Sequence, residues 1–127
     1  MRIFKTQAFG RFARKERIAD AALCQAIDRA ERGLVDADLG GNVIKQRVAR
    51  PGQGRSGGFR TLVAFRIETR AVFLHGFSKS DQDNISDDEL QGLRKAAVEV
   101  LGWSDEDVAT LLDGGKWTEL MCDDQDL

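Results

Sequence analysis

Residues 42–79 limit the fold of this chain more than any other stretch: three β-rich runs follow one another there, with turn-forming residues between them. Asn42-Val43-Ile44-Lys45-Gln46-Arg47-Val48-Ala49-Arg50 alternates apolar and polar side chains. Residues 59–66 do so more loosely, and residues 70–79 form a third such run. Successive side chains of a strand point to opposite faces, so Lys45 and Arg47 share one face while Ile44 and Val48 share the other. Three such runs in succession predict an antiparallel meander. A sheet that raises several cations onto one face has a use for an anion.

The charge distribution points the same way. The formal net charge of −2 conceals a split: residues 1–80 carry +9 and residues 81–127 carry −11. Such asymmetry suggests a polyanionic partner for the basic part, against the plainer reading that the two parts neutralise each other in the fold. A chain of 127 residues suits a single domain with a real core, here residues 1–127 with 81–127 as an acidic helical extension. Cys24 and Cys122 lie far apart and form no CxxC pair, so both are expected as reduced thiols of a cytoplasmic protein. The first residues lack a signal-peptide core, and no apolar run approaches the roughly 20 residues of a membrane helix. No membrane partner is expected. A single histidine, His75, argues against a histidine-based metal site, and neither metal nor cofactor is expected.

Taken in order, residues 2–5 read as a short opening strand. In the next segment Phe9, Phe12 and Ala13 share a helical face, and Arg11, Arg14 and Lys15 fall on the solvated remainder. Asp20 reads as the N-cap of a second helix whose core stripe is Leu23, Ala26, Ile27, Ala30 and Leu34, with Gly33 at its end. Cys24 beside that stripe reads as buried filler. The loop at 50–58 contains a literal GxGxxG at Gly52, Gly54 and Gly57, but it joins strand to strand and so is not a dinucleotide site. Two readings of it stand side by side: a connector, or a clamp in which Arg50 and Arg55 approach phosphate. Arg66 is grouped with them as a further cation for phosphate contact. Glu68 and Thr69 turn the chain into the third strand. Ser86-Asp87-Asp88-Glu89 is a capping box opening a third helix, with Leu90, Leu93, Ala97, Val100 and Leu101 inside. Ser104 opens a fourth helix, around Val108, Leu111 and Leu112. Trp103 and Trp117 read as packing residues, and residues 122–127 as a frayed acidic end.

Two N-terminal helices followed by a basic three-stranded meander resemble the RelE/ParE toxin superfamily, and its HigB-like branch most closely. Val43-Ile44-Lys45-Gln46-Arg47 resembles that family's basic strand, residues 58–65 its glycine-aromatic-arginine strand, and Phe77-Ser78-Lys79-Ser80 the lysine-bearing end of its last strand. The likeness covers about residues 1–100, with the acidic end outside the family pattern. It implies an α+β fold: two N-terminal helices packed on a small antiparallel sheet, with additional C-terminal helices. It implies a toxin of a type II toxin–antitoxin system acting as a metal-independent mRNA endonuclease at the ribosome. The partners implied are mRNA, the ribosome and a neutralising antitoxin, taken here as a helix-turn-helix DNA-binding protein. Some superfamily members instead act on gyrase without being nucleases. A plain RNA-binding module is a further alternative.

Carried over by position, the site residues are Lys45, Arg47, Arg60 and Lys79. Some members add a tyrosine or histidine, and this chain has no tyrosine. Metal-free RNA cleavage needs a base for the 2′-hydroxyl, charge stabilisation on the phosphate, and help for the leaving oxygen. Crowding by like charges favours the neutral amine of a lysine. Lys45, near Arg47 and Arg60, is therefore the base candidate. Arg47 and Arg60 would hold the pentavalent phosphate through forked hydrogen bonds, and Lys79 would assist the leaving group. His75 is the other candidate acid. Strand spacing places it with Phe73, Phe77 and Lys79, where the plainer reading is a core histidine. The acidic segment 81–127 could cover part of the basic sheet or offer a surface to the antitoxin.

Overall fold

Every residue from Phe59 to Phe65 is buried, which explains why that run alternates only loosely: its strand is covered on both faces. The computed structural model describes residues 1–50, 54–78 and 85–122, with side chains at 1–49, 58–78 and 85–122. Ten elements follow in order: β1 (Arg2–Thr6), α1 (Gln7–Glu16), α2 (Asp20–Glu31), β2 (Ala37–Asp38), β3 (Val43–Arg50), β4 (Gly54–Arg66), β5 (Arg70–Ser78), α3 (Asp87–Gly102), α4 (Asp105–Asp113) and β6 (Trp117–Leu120). The fold is α+β.

The meander β3-β4-β5 is present and antiparallel. It is the middle of a larger, mixed sheet of order β2-β3-β4-β5-β1-β6, in which β1 runs parallel to β5 and β6 antiparallel to β1. The expectation of a small antiparallel sheet is corrected accordingly. The opening run does become a strand, but its partner lies some 70 residues away, at Arg70–Phe73.

Each face of the sheet carries its own apolar cluster. On one, Phe9 and Ala13 of α1 and Leu23, Ala26, Ile27 and Ala30 of α2 meet Ile3, Ile44, Val48, Phe59, Val63, Phe73 and Leu120. On the other, Ala97, Val100 and Leu101 of α3 and Val108 of α4 meet Phe4, Val43, Leu62, Ala64, Val72, Phe77 and Trp117. Trp103 stacks on Trp117 with centroids 5.5 Å apart, so both tryptophans do pack. Arg11, Arg14 and Lys15 are exposed, as a solvated face requires.

Caps follow local chemistry. Ser86 and Glu89 form the capping box, and Ser104 accepts from the Asp107 N–H. Asp20 does not cap α2. Ala19 occupies the N-cap position without a side-chain cap hydrogen bond, and Asp20 is the first helical residue, where its carboxylate meets Lys5 at 3.2 Å. Gly33 (φ +84°) takes the left-handed turn expected of it, but Leu34 beyond it is 56% exposed and leaves the core stripe.

The cysteines also differ from expectation. Cys24 on α2 and Cys122, just past β6, are joined in a disulfide with Cα atoms 5.7 Å apart. Sequence spacing carried no sign of this, because β6 brings Cys122 across to α2 only after pairing with β1. No helix among the described residues is long and apolar enough to cross a membrane.

Candidate functional site

Register across β3, β4 and β5 assembles the basic face row by row. Lys45 stands opposite Leu62, and Leu62 opposite His75. In the next row Arg47 stands opposite Arg60, and Arg60 opposite Phe77. Directly paired residues lie about 5 Å apart at Cα and side by side on one face. Lys45, Arg47 and Arg60 therefore converge on one patch. It lies on the face that α3 and α4 cover further along, above Val43, Ala64 and Val72. The acidic C-terminal helices thus do occupy part of the face that carries the cations.

Arg60 is the unusual member. It is only 8% exposed, its Nη1 is buried without a hydrogen-bond partner, and no carboxylate pairs with it among the described residues. Its cross-strand neighbour is another arginine. Like charges directly opposite destabilise a sheet, and an unpaired buried cation adds a desolvation cost. Arg70, the other buried arginine, makes the contrast: it donates to the Val100 and Trp103 carbonyls and pairs with Asp105 at 3.3 Å. Arg70 is built into the end of α3, whereas the buried Arg60 Nη1 has no such partner among the described residues.

A bulge places His75. The register shifts between Leu62 and Val63, so Val63 pairs with Phe73 and Leu62 with His75. Simple alternation would keep His75 with Phe73, as the sequence suggested. Instead Phe73 packs against Phe9 of α1 at 5.0 Å between centroids, while His75 turns to the Lys45 row. Its ring lies 5.9 Å from that of Phe77, and its Nε2 is buried without a partner among the described residues.

The strand that bears Lys45 and Arg47 is fixed from behind by residues that sequence reasoning missed. Gln46 is fully buried on the opposite face. Its amide donates to the Ala26 carbonyl at 2.8 Å and the Leu34 carbonyl at 3.3 Å, and its Oε1 accepts from the Asp36 N–H at 2.7 Å. Asp36 accepts from the Arg47 N–H at 2.6 Å, and Arg29 donates to the Arg47 carbonyl at 2.5 Å. These bonds satisfy backbone groups along the β3 edge beyond the short β2. A polar residue in the apolar phase of Ile44-x-Gln46-x-Val48 was the available signal.

The other expected residues fall elsewhere. Arg66 sits six residues along β4 from Arg60, about 20 Å away at strand rise. Its guanidinium donates to the Leu101 carbonyl at 3.3 Å, so it is not brought to the patch. Lys79 lies outside the described residues, as do the side chains of Arg50 and Arg55. The loop expected at 50–58 is shorter than that: Arg50 ends β3 and residues 54–58, with Gly54 and Gly57 of the GxGxxG, belong to β4, while residues 51–53 lie outside the described residues.

Among the described residues, six strands with helices on both faces carry an arginine pair without a carboxylate partner, in a small protein of α+β type. Residues 1–120 match the family described as the RelE toxin of the RelE/RelB toxin–antitoxin system. The chain belongs to the RelE toxin family, and that membership implies a cognate antitoxin. The match reaches past α4 through β6, so the family pattern extends beyond the first 100 residues and includes most of the acidic end. No individual curated protein matches the chain.

Proposed function

We propose that this toxin is a metal-independent endoribonuclease that cuts mRNA, with translated mRNA at the ribosome as its substrate. The observation that carries the reading is Arg60: a buried guanidinium, opposite Arg47 and one row from Lys45, with no carboxylate partner among the described residues. A phosphodiester supplies the missing charge. Arg47 and Arg60 grip its non-bridging oxygens and stabilise the pentavalent state, where charge is greatest. Lys45 takes the proton of the 2′-hydroxyl as that oxygen attacks phosphorus. The leaving 5′-oxygen receives a proton from Lys79 or from His75, whose row ends the patch on the β5 side. The products are a 2′,3′-cyclic phosphate and a 5′-hydroxyl.

The three strand motifs support placement in the HigB-like branch, and with it a helix-turn-helix antitoxin. The test is cleavage of a bound RNA by purified protein and by single Ala variants. Cyclic-phosphate ends and losses of at least about 100-fold are expected for Lys45→Ala and Arg60→Ala, in line with removal of a charge-stabilising donor. Near wild-type rates in both variants would sink the scheme.

A further inference from the structure

The last part of the chain is attached along one edge of the sheet. β6 is an edge strand four residues long, paired with β1. α4 buries Val108 and packs against β6. Two ion pairs support this unit, Arg70 with Asp105 and Arg2 with Glu119, but each has one partner open to water, so neither is a strong clamp. Trp117 stacks on Trp103 and tilts against Phe4 on one face of the sheet, and Leu120 joins the α1–α2 cluster on the other. Past Leu120 the tie is covalent: Cys122 is bonded to Cys24 on α2. That bond is within reach of reagents. Cys24 and Cys122 are both half-buried, and they line an open groove of about 650 Å³ together with Gln25, Asp28 and Met121. Met121, next to the bond, is 81% exposed.

We propose that Cys24–Cys122 is a redox latch on the C-terminal unit. Oxidised, it pins the end of β6 to α2. Reduced in the folded protein, it lets β6 and α4 open from the sheet while β3, β4 and β5 stay closed. The latch is independent of the nuclease reading. Disulfides that an attacking thiolate can reach are the labile and regulatory kind. The co-reactant is a dithiol. One of its thiolates attacks a sulfur of the bond, forms a mixed disulfide and expels the other cysteine as a thiolate. The second thiol of the reductant then displaces the first cysteine. The reductant leaves as a disulfide, and two electrons and two protons end on Cys24 and Cys122 as thiols. Opening is selective because elements open in cooperative units of unequal stability. β4 and β5 have a strand on each side and an apolar cluster on each face, whereas β6 lies at the edge.

The test compares the full chain, oxidised and after dithiothreitol, without denaturant. Thiol labelling follows reduction, and amide hydrogen exchange follows opening. Trp103 and Trp117, the two tryptophans of the chain, report it by fluorescence. The bond should be reduced while the protein stays folded, and the tryptophan emission should shift to the red. Reduction should speed exchange at 105–113 and 117–120 by at least about tenfold more than at 59–65, within the usual contribution of a disulfide. Cys24→Ser and Cys122→Ser should show the reduced pattern before any reductant is added. A bond that dithiothreitol reaches only in denaturant would overturn the latch. So would reduction that speeds exchange equally in all segments, or serine variants that keep the oxidised pattern.

Discussion

Arg47 and Arg60 are direct cross-strand partners on β3 and β4, two cations facing one another in the middle of the sheet. Arg60 is buried there and no carboxylate neutralises it among the described residues. Like charges paired across strands cost stability in the free protein, and on the proposed reading a phosphate between the two guanidinium groups offsets that cost.

Replacing Arg60 with methionine should therefore separate stability from function. The apolar chain fills similar space and relieves both the like-charge pair and the orphaned Nη1. A gain of about 1 kcal/mol is expected, the scale of a cross-strand charge pair or an unsatisfied buried donor. RNA binding and cleavage should be lost at the same time. Thermal unfolding with and without RNA reads both: RNA should raise the wild-type midpoint and leave Arg60→Met unmoved. A strongly destabilised variant would mean that Arg60 is a structural residue.

Gln46 holds the cationic strand from the other face. Gln46→Leu keeps the volume but strands the Asp36 N–H and removes the donor to Ala26 and Leu34. A loss of about 2–4 kcal/mol is expected, the usual scale for breaking a buried polar network. A urea titration measures it, as a lower midpoint at unchanged slope.

Local pattern alone reveals much of this molecule. Period-two alternation assigns β3 and puts Lys45 and Arg47 on one face, and the Ser-x-x-Glu signature locates the start of α3. What escapes such reading depends on distant partners. The parallel pairing of β1, the four-residue β6 and the disulfide have no local signal, because each is created by a contact made far along the chain. The bulge that turns His75 to the Lys45 row arises from register against β4, which one strand's composition does not encode. The convergence of Lys45, Arg47 and Arg60 is half visible: the first two share a strand, and the third joins them only through pairing.

The Cys24–Cys122 bond closes a loop spanning a sequence separation of 98. Cross-links of that span restrict the unfolded chain strongly, with a typical effect of about 2–4 kcal/mol. Cys24→Ser should lower the unfolding midpoint without reductant, and wild type and variant should coincide once dithiothreitol is added. Equal midpoints without reductant would show that the bond contributes nothing to stability.

Glu119 on β6 accepts two hydrogen bonds from Arg2 on β1, at 2.8 and 2.9 Å. Those bonds, against the opposing effect of partial burial and helped by the charge of Arg2, hold the Glu119 carboxyl below its usual range. A carboxyl depressed by folding stabilises above its unfolded value and loses that contribution as pH falls through the folded one. Both side chains are partly exposed, so the pair is worth about 0.2–1 kcal/mol. Glu119→Gln should be less stable than wild type by that amount at neutral pH. The difference should fade below about pH 4, the ordinary range of a glutamate. A gap that persists in acid would assign the effect to packing.

The proposed cleavage of mRNA by Arg60 and its neighbours can be tested in living cells. The chain is induced in bacteria and mRNA 5′ ends are mapped across the transcriptome, beside an Arg60→Ala control. The expected result is growth arrest with new 5′ ends inside translated codons, both absent in the control. Growth arrest without new ends, or ends that persist in Arg60→Ala, would contradict the nuclease reading.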